Sequence, residues 1–330
     1  MRKLPSIGSW LIRLCSWITT QGEGGAALAI LIFHRVLPEF DPLLASEPDA
    51  ERFAAILDLL QTHFRVLELA EALLRLRERR LPKRALCVTF DDGYANNYTV
   101  ALPILLAKGA PATVFVASGF LDGGRMFNDT IIEAVRRAPR GLDLRDIGLG
   151  IHELSDDSLR VNAIESIIMK LKYAAPDERS RLAEGVIERA GPLPPSQLMM
   201  TSAQLRALHK SGVQIGAHTV THPILASVSE EEAREEITSG KRQLETILGA
   251  PVTLFAYPNG KPGTDYHRNH VEIARRAGFE AALSTAWAVA HPDGDRFQIP
   301  RIAPWDRSAL RYGLRIARSY RVRIVQRAQE

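Results

Sequence analysis

Short apolar runs alternate with helix-length segments from about residue 28 to residue 303, and this alternation constrains the fold more than any other feature of the chain. Residues 29–33, 64–67, 86–90, 113–116, 213–215, 253–255 and 281–283 read as buried strands. Residues 53–60, 70–80, 103–108, 230–248 and 271–277 read as the helices between them. Strands that alternate with helices make a mainly parallel sheet, and this many units predict an α/β fold of the (β/α) barrel type, distorted or incomplete. Residues 123–197 break the rhythm. They are rich in helix formers and charge, and they close on Gly191-Pro192-Leu193-Pro194-Pro195, so the expectation is a helical insertion between two barrel units. The expected organisation is an N-terminal amphipathic segment over 1–27, a main domain over 28–303 and a basic C-terminal helix over 304–330.

With 330 residues, 46% of them hydrophobic, the chain can bury a full core. Its two cysteines, Cys15 and Cys87, form no CxxC pair and cannot build a zinc finger or a disulfide framework. Cys87 lies in an apolar run and reads as a small buried hydrophobe. The net charge is +4, yet residues 301–330 hold eight arginines against Asp306 and Glu330 and so carry +6 by themselves. Such a tail attracts anionic surfaces or forms a solvated helix face; it contains no nucleic-acid-binding motif, and no nucleic-acid partner is expected.

Leu4, Ile7, Trp10, Leu11, Leu14, Trp17 and Ile18 recur at helical spacing, and Leu310, Leu314, Ala317 and Ile324 give the tail a similar stripe. The plainer reading of both is a core-facing helix; the alternative is peripheral contact with a membrane surface. Arg13 interrupts the first stripe and no small-residue cleavage site follows, which argues against a signal peptide. A cytoplasmic location, at or near the inner membrane face, is the corresponding expectation.

Three features carry chemistry. In Thr89-Phe90-Asp91-Asp92-Gly93-Tyr94 a hydrophobic strand ends in adjacent carboxylates, and glycine then permits a sharp turn. One carboxylate can hold a cation while its neighbour serves as a base. In His218-Thr219-Val220-Thr221-His222 two imidazoles stand at i and i+4, a pair that suits zinc or a similar metal. In Ile30-Leu31-Ile32-Phe33-His34-Arg35 a histidine ends an early strand. All three lie where apolar strands terminate, the end at which parallel α/β architectures place their active sites.

The two leading motifs, in this order, resemble those of the polysaccharide deacetylase family, carbohydrate esterase family 4. Phe255-Ala256-Tyr257-Pro258-Asn259-Gly260 is similar to its third motif, in the form typical of the branch that acts in bacterial exopolysaccharide synthesis. The resemblance implies one divalent metal, zinc before cobalt, nickel or manganese, held by Asp92, His218 and His222. It implies Asp91 as general base, and an N-acetylated glycan as substrate. The family's C-terminal general-acid histidine has no match, since His291 sits in a polar stretch; His34, from an early strand, resembles the permuted arrangement of some exopolysaccharide deacetylases. Phe255 stands where an arginine orients the base, and Arg301 is the substitute expected from another strand. The Tyr94 amide is the expected oxyanion donor. Tyr257, Pro258 and Asn259 are substrate-side candidates; Tyr257, Trp287 and Trp305 are also sugar-stacking candidates, although the plainer reading of each of these aromatics is a core residue. His267 and His270 are expected at the surface near the rim, and His63, His152 and His209 outside the site. Competing readings are a hydrolase of a small amide or imide and an inactive carbohydrate-binding relative.

Overall fold

The computed structural model describes residues 6–21, 26–194, 197–304, 306–322 and 326–328. Strands β1 (Leu28–Phe33), β3 (Ala85–Phe90), β4 (Thr113–Val116), β7 (Gln214–Ala217), β8 (Leu254–Ala256), β9 (Ala281–Trp287) and β10 (Ile299–Arg301) pair in parallel in that order. Ile302, just past β10, donates to the carbonyl of Ile30 and accepts from the amide of Ile32, which brings the last strand back to the first. The result is a nearly closed, distorted barrel. β2 (Arg65–Val66) lies beside it and pairs with the start of β3. β1, β3 and β4 are buried along their whole length, as expected where helices cover a parallel sheet from outside.

The surrounding helices start and stop on local signals. α2 (Ala50–His63) is capped by Asp49, whose carboxylate accepts from the Arg52 amide. α9 (Glu230–Leu248) begins on a capping box between Ser229 and Glu232 and has three glutamates in its first turn, where the helix dipole favours negative charge. It ends on Gly249 in the left-handed region. α3 (Leu69–Arg77), α4 (Leu102–Lys108), α8 (Ser202–Lys210) and α10 (Arg268–Arg276) fill the remaining connections.

Between β4 and β7 the chain builds a second hydrophobic cluster running from Ile131 to Val186. α5 (Phe127–Arg137), α6 (Asp157–Lys172) and α7 (Pro176–Ala190) form most of it. The expected helical insertion also carries a short two-stranded sheet. β5 (Gly141–Leu144) and β6 (Gly150–Glu153) form an antiparallel hairpin there, and β5 alternates exposed and buried residues as a one-faced strand does. Its shortness and its charged neighbours conceal that alternation in the sequence.

α1 (Ser6–Thr19) packs on α11 (Ala309–Ser319), with buried Ile12 against Gly313. The apolar stripe of α1 does not face the core as the plainer reading expects. Ile12, Ser16 and Thr19 are buried, whereas Trp10, Leu11, Leu14, Trp17 and Ile18 are exposed. Leu4 lies outside the described residues, as does Ile324 of the tail stripe; Leu310 and Leu314 are half-buried and Ala317 fully so.

Gly240 of α9 sits against the loop that carries the histidine pair, where a Cβ would stand 2.8 Å from the Thr219 backbone. Gly240→Ala gains about 1 kcal/mol in helix propensity but forces α9 away from this loop, at about 1–3 kcal/mol. Urea unfolding should therefore show a net loss of stability; a gain would mean that the helix has room to move.

Candidate metal centre and catalytic groups

β1 and β3 are in register, with Phe33 opposite Phe90, so His34 and Asp91 emerge side by side at the C-terminal end of the barrel. The Asp91 amide donates to the Phe33 carbonyl at 2.9 Å. The backbone then enters the left-handed region at Asp92 (φ 77°) and Gly93 (φ 89°). A Cβ at residue 93 would also meet Val116 Cγ1 at 2.9 Å, so glycine is required there on two counts. This turn sends the neighbouring carboxylates to different partners.

Asp92 turns to the histidines. Its Oδ1 lies 3.5 Å from His218 Nε2 and 3.4 Å from His222 Nε2. One ligand atom from each residue lies within 4.8 Å of the others. Donors bound tetrahedrally to zinc at about 2.0–2.1 Å stand about 3.3 Å apart, so the carboxylate–imidazole spacings fit such an ion. The protonation states fit as well. Burial lowers the pKa of His218 to about 4, and burial, then the charges of His218, His34 and Arg179 of α7, lower that of His222 against the pull of Asp91, so both imidazoles are neutral donors. His218 Nδ1 lies 2.7 Å from the Ala256 carbonyl; as donor in that bond it leaves Nε2 bare toward Asp92. Burial, followed by the charges of Asp91, Asp129 and Glu47, pushes the Asp92 carboxyl up to about 7 against the pull of His34. A cation at this point would reverse that balance.

Asp91 turns to Arg301, which is fully buried in the barrel and donates to both carboxylate oxygens, at 2.7 and 2.8 Å. Arg301 also donates to the Ser284 carbonyl at 3.1 Å and to Thr89 Oγ1 at 3.3 Å. Burial alone would raise the Asp91 pKa; the charge of Arg301, then His218, then the bidentate hydrogen bonding outweigh it and hold the carboxyl at about 2.

The His34 ring reaches solvent. Its crowded surroundings oppose a charge, yet the carboxylates of Asp92, Glu47 and Asp91 outweigh this and raise its pKa above the usual histidine value. Asn97 fixes the backbone here by donating to the His34 carbonyl at 2.9 Å. Tyr94 is buried, and among the described residues its amide has no acceptor. Its hydroxyl donates at 3.1 Å to Asp129 of the insertion, which also receives Arg35 at 3.3 Å.

The remaining candidates separate. Tyr257 is fully buried, stacked on Tyr266 with centroids 3.9 Å apart, and its hydroxyl donates to the Phe297 carbonyl. It is a core residue, not a sugar platform, because the strand turns its ring inward. Pro258 is buried, and Asn259 occupies a left-handed turn (φ 56°) whose carbonyl accepts from Thr285. From this third motif it is the Ala256 carbonyl that touches a site side chain. Trp287 ends β9 partly exposed, paired in register with Arg301; Trp305 lies outside the described residues. His270 is buried rather than superficial, since its Nδ1 accepts from the His267 amide at the start of α10. His291 lines a cavity of about 1050 Å³ together with Leu254, Ala281 and Ile299, which begin their strands, so it lies at the opposite end of the barrel.

The family model described as polysaccharide deacetylase matches residues 78–142 and 182–282, together half of the chain. The chain belongs to the polysaccharide deacetylase family. A putative polysaccharide deacetylase of Bacillus subtilis, YxkH, is 20% identical over 288 residues, covering 87% of this chain and 74% of the relative. IcaB from Ammonifex degensii superposes with a TM-score of 0.59 at 22% identity, covering 90% and 98% of the two chains. The Streptococcus pyogenes deacetylase PplD, solved in complex with acetate, gives 0.56 at 19% identity, covering 84% and 92%. At these identities the structures speak for the fold.

Two supports of this deacetylase site have no signature in its sequence. Glu236 of α9 accepts from the amides of Val220 and Thr221, each at 2.8 Å, and from the Thr221 hydroxyl at 2.6 Å. It thereby holds the histidine loop, where Thr219 (φ 65°) and His222 (φ 55°) adopt left-handed backbone that β-branched and bulky residues resist. Asp129 likewise reaches the site from a separate part of the chain. Only a motif-adjacent acid in the following helix could have hinted at Glu236.

Removing the guanidinium in Arg301→Ala strands a buried carboxylate, and chemical denaturation should show a loss of about 3–5 kcal/mol. Glu236→Ala should weaken zinc binding roughly 10–100-fold, read by competition with a chromophoric chelator, because it frees the loop without touching a donor. Unchanged affinity would show that the loop holds its shape without Glu236.

Proposed function

We propose that this deacetylase hydrolyses N-acetyl groups on an amino-sugar polysaccharide or its lipid-linked precursor, in the synthesis of a bacterial exopolysaccharide, with a divalent metal, zinc first, at Asp92, His218 and His222. The observation that carries the reading is the divergence of Asp91 and Asp92: one carboxylate faces two neutral imidazoles and its neighbour faces a buried arginine. When bound, the cation supplies Lewis acidity, polarising the acetamide carbonyl and acidifying the attacking water.

The protein's own groups supply the rest. Asp91, kept ionised and oriented by Arg301, takes the proton of the attacking water. The Tyr94 amide donates a hydrogen bond to the oxygen that gains charge as the carbonyl is attacked. His34, whose raised pKa favours the charged form, gives a proton to the departing sugar amine. A base with a pKa of about 2 is weak by itself, which is why the acidification of water matters here. Trp287, partly exposed and paired in register with Arg301, is the aromatic candidate for stacking on a sugar.

The purified chain, stripped of metal and reloaded with zinc or cobalt, should release acetate from N-acetylglucosamine oligomers. Asp91→Asn and His34→Ala should each reduce the rate by about 10²–10⁴-fold while still binding one metal per chain. Undiminished release by Asp91→Asn would remove it as the base; metal bound without any release would point to another amide.

A further inference from the structure

α1 places its residues the wrong way round for a helix that simply covers a core. The inward face carries Ile12, Ser16 and Thr19, and its hydroxyls are satisfied within the helix: Ser16 donates to the Arg13 carbonyl at 3.0 Å and Thr19 to the Cys15 carbonyl at 3.0 Å. The outward face carries the large apolar side chains. Trp10 is 59% exposed and Trp17 60%, with Leu14 and Ile18 on the same side at 37% and 41%. Trp10, Leu14, Trp17 and Ile18 stand at helical spacings of four, seven and eight, so they form one continuous stripe.

Cations adjoin this stripe. Arg13 is exposed on α1 itself. Arg321 donates to the carbonyl of Ile18, Lys83 donates to Gln21 just past the end of α1, and Arg318 is exposed on α11, which packs against α1. No acidic residue occurs in the chain before Glu23. Indole rings with arginine and lysine beside them match the boundary between acyl chains and anionic headgroups. α1 has 14 residues, and no helix among the described residues is long and apolar enough to cross a membrane, so the geometry fits a helix lying in the surface plane.

We propose that the outward face of α1, with Arg318 and Arg321 beside it, docks the enzyme on the surface of an anionic lipid bilayer. The site residues come from barrel strand ends and the loops after them, so docking leaves the hydrolytic groups unaltered and acts by concentrating the enzyme at the lipid surface. The inference stands on the terminal helices and not on the substrate reading, and its test reads lipid binding.

The test is cosedimentation of the full chain with phosphatidylcholine vesicles and with vesicles of equimolar phosphatidylcholine and phosphatidylglycerol. Tight binding to the anionic vesicles, at least about ten-fold stronger than to phosphatidylcholine alone, is expected. Trp10→Ser combined with Trp17→Ser should weaken it by at least about ten-fold, with acetate release from soluble oligomers unchanged. Arg318→Gln with Arg321→Gln should narrow the difference between the two vesicle types. No binding to either vesicle, or binding unaffected by the tryptophan pair, overturns the proposal. A concentration-dependent dimer in sedimentation that the tryptophan pair abolishes, without lipid binding, overturns it as well and assigns the face to a second copy of the chain.

Discussion

The buried pairing of Arg301 with Asp91 holds the architecture and the chemistry together. A guanidinium with no access to water is tolerable only where its donors are matched, and here they meet both oxygens of Asp91, the Ser284 carbonyl and Thr89 Oγ1. Thr89 belongs to β3, Asp91 follows directly after that strand and Ser284 belongs to β9, while Arg301 belongs to β10. Thr89 in turn donates to Leu31 of β1. One charged group thus links the first and last strands of the barrel at the level where His34 and Asp91 emerge. The same contact keeps Asp91 ionised and fixes its direction, at the expense of basicity.

The adjacent carboxylates show how environment separates like groups. Asp91 is drawn down to about 2 by its arginine and Asp92 is driven up to about 7 by burial among other acids. Groups pushed apart in this way take different roles. The left-handed backbone at Asp92 and Gly93 makes the separation geometric as well as electrostatic, and the strain is concentrated again at Thr219 and His222, on the other side of the candidate metal centre.

Supports for this arrangement come from elements outside the barrel strands. Asp129 of the insertion holds Tyr94 and Arg35, Glu236 of α9 holds the histidine loop, and Arg179 of α7 adds its charge to the field at His222. The insertion with its own apolar cluster is therefore electrostatically part of the site. On the terminal helices the tryptophans remain outside because α1 turns Ile12, Ser16 and Thr19 toward the rest of the protein, with Ile12 seated against Gly313.

The strand–helix alternation was legible in the sequence because buried parallel strands are uninterrupted apolar runs, and Asp91, Asp92, His218 and His222 were legible because motif spacing is a local property. What lay beyond it was decided by contacts between distant residues. Residue 301 meets residue 91 only once the barrel closes, and Glu236 reaches the histidine loop only because Gly240 lets α9 approach. Periodicity showed that α1 has two faces but not which one turns inward. Local spacing fixes which residues share a face or a strand end; which neighbour that face meets is set by close packing and by the need to match every buried charge, and both exist only in the folded chain.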